Sequence, residues 1–318
     1  MTAEQLGAFQ AAANFWSGKL ADNVTVYIDI AFDNLGPNIL GGTSSIFGTA
    51  TYSSIRNRLV LDSKSALDAT AVANLQAGPA LTFLATQGDL TSRFDNDGST
   101  NNTLLGLTTA NAKAMGYAVG TNVANPDANI TFATGFAGDF VHTRVNGVPA
   151  NKIDFITMAE HEIGHALGFT FGVDDIDFCA GPANGCGLPN TADRFETDWW
   201  YEPLDLFRYS APRAMDVRVG GTPYFSVDDG ATSIEYFSTG AFNGDGWQAS
   251  HFGPGALNLM RAFVHNGEFY DATARNLAAF DAIGWDVGAV PEPQTYAMML
   301  MGLGAVGWDS RRRARVAA

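Results

Sequence analysis

The run His161-Glu162-Ile163-Gly164-His165 constrains this chain more than any other stretch, because its chemistry is available only from a helix with one face kept free for it. At 100° per residue, His161 and His165 project one turn apart from the same face, so two imidazoles can meet one metal ion. Glu162 lies at the edge of that face, where its carboxylate can take a proton from a water on the metal, as metal-assisted hydrolysis requires. With His161 set at 0°, Phe155, Ile156, Ala159, Ile163, Ala166 and Leu167 fall between roughly 120° and 240°, opposite the histidines. Asp154 stands where an N-cap belongs and Gly168 where a left-handed stop belongs, which predicts a helix of about three to four turns. With only 5 His in 318 residues, random order gives about 0.002 such runs per chain, so chance is a poor explanation.

Catalytic zinc usually takes three protein ligands and leaves a fourth position for water or substrate. In the metzincin pattern a third histidine follows the glycine by three residues; here that position is Phe171, which cannot bind metal. The remaining histidines are His142, His251 and His265. His251 closes Gln248-Ala249-Ser250-His251, and Met260 follows nine residues later. Taken together, His161, Glu162, His165, Gly168, His251 and Met260 resemble the leishmanolysin-like branch of the metzincins, in which a long insertion precedes the third ligand and a Met-turn underlies the metal. The motif helix with Gly172-Val173-Asp174-Asp175, the Gln248–His251 segment and Leu277–Trp285 also looks like bacterial secreted metallopeptidases that carry a PEP-CTERM tail, a likeness over most of residues 20 to 318.

That resemblance implies an α+β, two-lobed fold. A mixed sheet and the zinc helix form an upper lobe of about residues 1–168, and the Met-turn lies in a lower lobe of about 169–288. The function it implies is a zinc endopeptidase acting on proteins or peptides as a monomer, with His161, His165 and His251 as ligands and Met260 as the Met-turn. Glu162 is then the base that takes the water proton and delivers it to the leaving amine. Asp174, Asp175, His142 and His265 remain alternatives for the third ligand, and Tyr270 and His265 are candidates for transition-state or supporting roles. Two other functions stay open. One is a non-catalytic surface or matrix protein with a structural zinc site, for which Glu162 has no use. The other is a zinc hydrolase of small amides, which an extended open cleft disfavours.

A formal charge of −15, with no Lys/Arg cluster before the tail, argues against nucleic-acid or anionic-membrane partners. The tail reads as an address: Pro291-Glu292-Pro293, an apolar run from Tyr296 to Trp308, then Arg311-Arg312-Arg313-Ala314-Arg315. This order resembles a PEP-CTERM sorting signal over 289–318, implying export in a Gram-negative bacterium, exosortase-type processing and a transient inner-membrane anchor, the run being short for a permanent span. No signal peptide precedes Met1, so the natural precursor is expected to begin upstream. In an oxidising compartment Cys179 and Cys186, the only cysteines, are expected to close a small disulfide loop.

Elsewhere the periodicity predicts a helix over 3–19 with Leu6, Phe9, Ala12, Ala13 and Trp16 on one face, a strand over 24–30 and an edge strand at Ile130-Thr131-Phe132. Further helices are expected over 63–75, around Ala110–Ala114, and over 272–283 behind the site. Trp199, Trp200, Tyr201, Phe207 and Tyr209 read as subdomain packing, with a cleft lining as the alternative. Asp95-Asn96-Asp97-Gly98-Ser99-Thr100-Asn101-Asn102 reads as a solvated turn whose oxygens also suit Ca2+.

Overall fold

The computed structural model describes residues 1–288 except 182, 183, 188, 190 and 192; the expected sorting segment, 289–318, lies outside the described residues. The architecture is mixed α+β with several sheets arranged around the motif helix, Phe155–Ala166.

That helix begins and ends where the sequence places its caps. Asp154 accepts from the Thr157 amide at 2.9 Å and the Thr157 hydroxyl at 2.7 Å, and Arg144 pairs with the same carboxylate at 2.7 Å. At the other end Leu167 caps and Gly168 turns the chain at φ 110°. A Cβ on residue 168 would stand 2.9 Å from that of Asn111, so glycine is needed there for space as well as for conformation. The helix is not half-exposed. His161, Glu162 and Glu160 are as buried as its apolar back, because its front faces a cavity inside the fold.

A three-stranded sheet flanks it. Ala128–Ala133 is the central strand, parallel to Ile28–Asp33 and antiparallel to Gly41–Ser45. The Ile130–Phe132 segment is therefore interior rather than at an edge, and both its apolar side chains are fully buried. Its parallel partner lies about a hundred residues away in sequence, a pairing no local pattern reports. The strand expected over 24–30 begins only at Ile28, since the Tyr27 amide is taken by the Asp127 carboxylate at 2.8 Å instead of a ladder.

A second sheet of six strands runs in the order Glu235–Tyr236, Tyr224–Phe225, Arg208–Ala211, Ala214–Val217, Phe83–Thr86, Ser92–Asp95. Ala214–Val217 pairs in parallel with Phe83–Thr86, so the sheet joins the two halves of the chain. Strands from either side of residue 168 thus share one sheet, and one apolar core extends from Ala8 to Trp285.

Two helices brace the motif helix from behind. In Ala3–Ser17, Phe9, Ala12 and Trp16 are buried while Leu6 is half exposed, and the Trp16 indole donates to the Glu160 carbonyl at 2.8 Å. Ala274–Ala282 brings Phe280 against Trp16 at 4.6 Å between ring centroids, and beyond it the Trp285 indole donates to the Leu167 carbonyl at 2.8 Å. The 63–75 prediction narrows to Ala66–Asn74, capped by Ser65, and a helix not expected, Tyr52–Asp62, precedes it. Within the 95–102 turn, Thr100–Thr103 forms a single helical turn after Ser99.

Candidate metal centre

His161 and His165 leave one face of the motif helix; His251 arrives from a loop more than eighty residues later. Asp174, in the helix Gly172–Cys179, sets that loop. One of its oxygens accepts from the Ala249 amide at 2.5 Å; the other accepts from the Ser250 amide at 3.0 Å and from the Ser250 hydroxyl. The Ser238 amide donates to the His251 carbonyl at 2.9 Å, and the Phe252 amide to the Met260 carbonyl at 2.8 Å, so the His251 and Met260 segments are fixed to each other.

The three Nε2 atoms then converge, His161 to His165 at 3.0 Å, His165 to His251 at 3.3 Å and His251 to His161 at 3.2 Å. Every Nδ1 faces a backbone carbonyl: Leu259 at 2.8 Å for His161, Phe169 at 2.7 Å for His165 and Gln248 at 3.1 Å for His251. A carbonyl only accepts, so each Nδ1 carries the proton and each neutral ring presents a bare lone pair at Nε2. Three lone pairs this close repel unless a cation lies among them. A tetrahedral ion at about 2.0–2.1 Å from its nitrogen ligands holds them about 3.3 Å apart, so the donor set fits zinc. Burial, reinforced by the repulsion that a second protonated ring would meet in the cluster, pushes His165 down to about 3 and His251 well below the ordinary imidazole value. Neutral rings at neutral pH are the form that binds metal.

Glu162 lies beside the cluster, against the edge strand Gly41–Ser45. The Thr43 hydroxyl lies 2.8 Å from its Oε2 and 2.9 Å from its backbone carbonyl, and a Cβ on residue 41 would come within 3.1 Å of Oε1. Burial raises the Glu162 carboxyl above its ordinary value; His161 and the Thr43 hydroxyl act the other way. These groups open onto one cavity of about 660 Å³, bounded by the edge strand, the motif helix, the 246–251 loop and the 259–264 segment. Met260 is fully buried against Gly164.

The other candidates are dispersed. Tyr270 lines the cavity, but its hydroxyl is engaged by Arg261 at 2.6 Å and by Glu268. His265 lies outside the cavity lining with its ring 5.1 Å from that of Phe263. The His142 ring lies tilted against that of Phe155 at 5.0 Å, and neither it nor Asp174 nor Asp175 joins the histidine cluster. Cys179 and Cys186 form a disulfide with Cα atoms 5.0 Å apart. Trp199 fills the space over Gly106, and Trp200 and Tyr201 pack on Phe195 and Phe83; none of the aromatic patch lines the cavity. In the turn proposed for calcium, Asp95, Asp97 and Glu196 do converge, yet on Arg93, whose guanidinium lies 2.8, 3.2 and 2.5 Å from them. The chain itself supplies a cation there.

Thr43 and the anchoring role of Asp174 are absent from the sequence reading. Nothing local signals Thr43, because it meets Glu162 only through the sheet, whereas an acid just after the motif is visible in sequence but reads equally as a ligand.

Residues 289–313 match the family model of the PEP-CTERM protein-sorting motif. The protein is thus one that is exported and sorted to the cell surface of a Gram-negative bacterium, through recognition of this motif by exosortase machinery. No curated protein and no solved structure matches the chain. No helix among the described residues is long and apolar enough to cross a membrane.

Proposed function

We propose that the protein is an exported zinc metallopeptidase of the metzincin type, with leishmanolysin-like ligand spacing, that cleaves peptide bonds within proteins. The observation that carries the reading is the convergence of three tautomer-fixed Nε2 atoms beside a buried carboxylate in an open cavity. His161, His165 and His251 hold the ion. When bound, zinc supplies an acidified water and a Lewis acid for the scissile carbonyl. Glu162 takes the water proton at a carboxylate oxygen and passes it to the leaving amine, its raised affinity for a proton suiting both directions. Thr43 holds Oε2 in place for that exchange. The edge strand and the 246–251 loop bound the cavity in which the substrate would lie. Met260 packs against Gly164, between the two motif histidines in sequence, in keeping with a Met-turn. Base and ligands come from one chain, so the reading requires no second copy.

The test is hydrolysis of casein by the zinc-loaded chain, with Glu162→Ala and His251→Ala beside it. Cleavage by the parent, none by Glu162→Ala despite retained zinc, and lost zinc in His251→Ala is the expected pattern. No cleavage by the parent, with zinc bound, would favour a structural zinc site in a surface protein, and cleavage of small amides alone would favour the other hydrolase reading.

A further inference from the structure

Arg261 follows Met260 directly and forms part of the cavity wall while being only 5% exposed. Its Nη1 donates to the Tyr270 hydroxyl at 2.6 Å and its Nη2 to the Pro254 carbonyl at 3.2 Å; Nε is buried with no acceptor. The guanidinium lies 3.9 Å from the ring centroid of Phe263 and 4.9 Å from that of Tyr270. Among the described residues no carboxylate pairs with it. The acid nearest in the hydrogen-bond chain, Glu268, is exposed and reaches it only through the Tyr270 hydroxyl. A guanidinium taken out of water without a counter-charge is costly, and this one, with Nη1 and Nη2 each on a neutral oxygen, still lacks the anion that would offset that cost. Apart from the histidines, the charged groups lining the cavity are Glu162 and Arg261. Glu162 faces the histidines, which leaves Arg261 for the substrate.

We propose that Arg261 recognises a carboxylate of the substrate close to the bond that is cut, which makes acidic sites the preferred ones. This rests on the peptidase reading above. The closeness follows from the wall itself. Arg261 shares the cavity with Thr157, one turn before His161 on the motif helix, and the Tyr270 amide donates to the Thr157 hydroxyl at 3.0 Å, tying the Arg261–Tyr270 pair to that turn. A carboxylate matches the guanidinium fork in shape and charge, whereas an amide of the same size matches only the shape. Tyr270 is then a positioning residue, its hydroxyl holding Nη1 from the side that Glu268 anchors. The carboxylate has two possible sources, an Asp or Glu side chain and a free C-terminus.

The experiment uses the full zinc-loaded chain with peptide pairs identical except for Glu against Gln at each position flanking the cut, and each pair with a free or amidated C-terminus. A preference for Glu of about tenfold or more in kcat/KM, the equivalent of about 1.4 kcal/mol, is expected at one flanking position. A preference for the free C-terminus alone would assign Arg261 to the terminal carboxylate. Arg261→Gln should abolish the preference, read as the ratio of the Glu to the Gln peptide within that variant, and Arg261→Lys should retain part of it. If the variants do not fold, the Glu/Gln comparison on the parent still decides. Affinities of the same peptides for zinc-loaded Glu162→Ala, measured by calorimetry, separate the two readings. Discrimination in binding without turnover in the parent would overturn the peptidase reading and keep Arg261 as a carboxylate site. Turnover with equal rates and equal affinities for Glu and Gln peptides, and for free and amidated C-termini, would overturn this proposal alone.

Discussion

Gly164 and Met260 touch: a Cβ on residue 164 would stand 2.6 Å from the Met260 sulfur and 3.0 Å from its methyl carbon, with the Trp16 ring at 3.4 Å. The glycine between the two motif histidines is thus the place where the helix admits the methionine beneath it. Gly164→Ala gains helix propensity, about 1 kcal/mol, yet the new methyl would overlap the thioether of the fully buried Met260. Overpacking costs about 1–3 kcal/mol and should win. A lower Tm for Gly164→Ala is expected in thermal unfolding; an unchanged or higher Tm would mean that Met260 repacks freely.

Asp174 holds both amides that precede His251. Asp174→Ala leaves them without an acceptor and frees the third histidine. Partners of this kind are worth about 10–100-fold in metal affinity, so zinc binding measured by chelator competition should weaken by about that factor. Unchanged affinity would mean that the loop is set by the Ser238–His251 bond alone.

Thr43 stabilises the charged form of Glu162, so Thr43→Val should raise the affinity of Glu162 for its proton still further. The base must be ionised to act, and the acid limb of kcat/KM should therefore move to higher pH in the variant. A pH–rate profile checks it, and an unmoved limb would remove Thr43 from the proton-transfer machinery.

Asp205 is fully buried, with Oδ2 accepting from the Gly172 and Glu202 amides at 2.9 and 2.8 Å and Oδ1 without a partner. Burial raises it from 3.8 to about 7 against the pull of those amides and Arg208. Between these values the folded chain keeps a proton that the unfolded chain has released, so folding stability due to this group falls as pH rises through the window and levels off above it. Urea unfolding of chelator-treated protein at pH 4 to 8 should show the parent losing stability relative to Asp205→Asn up to about pH 7. A difference independent of pH would mean that the carboxyl is ionised throughout.

The Cys179–Cys186 bond closes a short loop at the end of the helix that carries Asp174. By loop-closure entropy it contributes about 2.5 kcal/mol. Cys179→Ser with Cys186→Ser should lower unfolding stability by about that amount in denaturant titration, and no loss would mean that the loop is as restricted in the unfolded chain without it.

The motif helix was legible in sequence down to its caps, because Asp154, the 3.6-residue apolar stripe and Gly168 act within one short segment. Local chemistry also set the separate helices at 3–17 and 274–282, and the terminal motif gave the protein its address. Spacing named His161 and His165, and the resemblance to leishmanolysin-like metzincins brought in His251 as the candidate third ligand. Tertiary structure decided the rest, since it depends on partners far apart in the chain. The Ala128–Ala133 strand became central because Ile28–Asp33 reached it from a hundred residues away, and one sheet joined 83–95 to 208–236 across residue 168. Likewise Thr43 met Glu162, Asp174 met the His251 loop, and Arg261 was left facing the cavity without a carboxylate, none of which any periodicity encodes. Local hydrogen bonds and side-chain period are properties of a segment; which acid, hydroxyl or cation shares a cavity is fixed only when the segments pack.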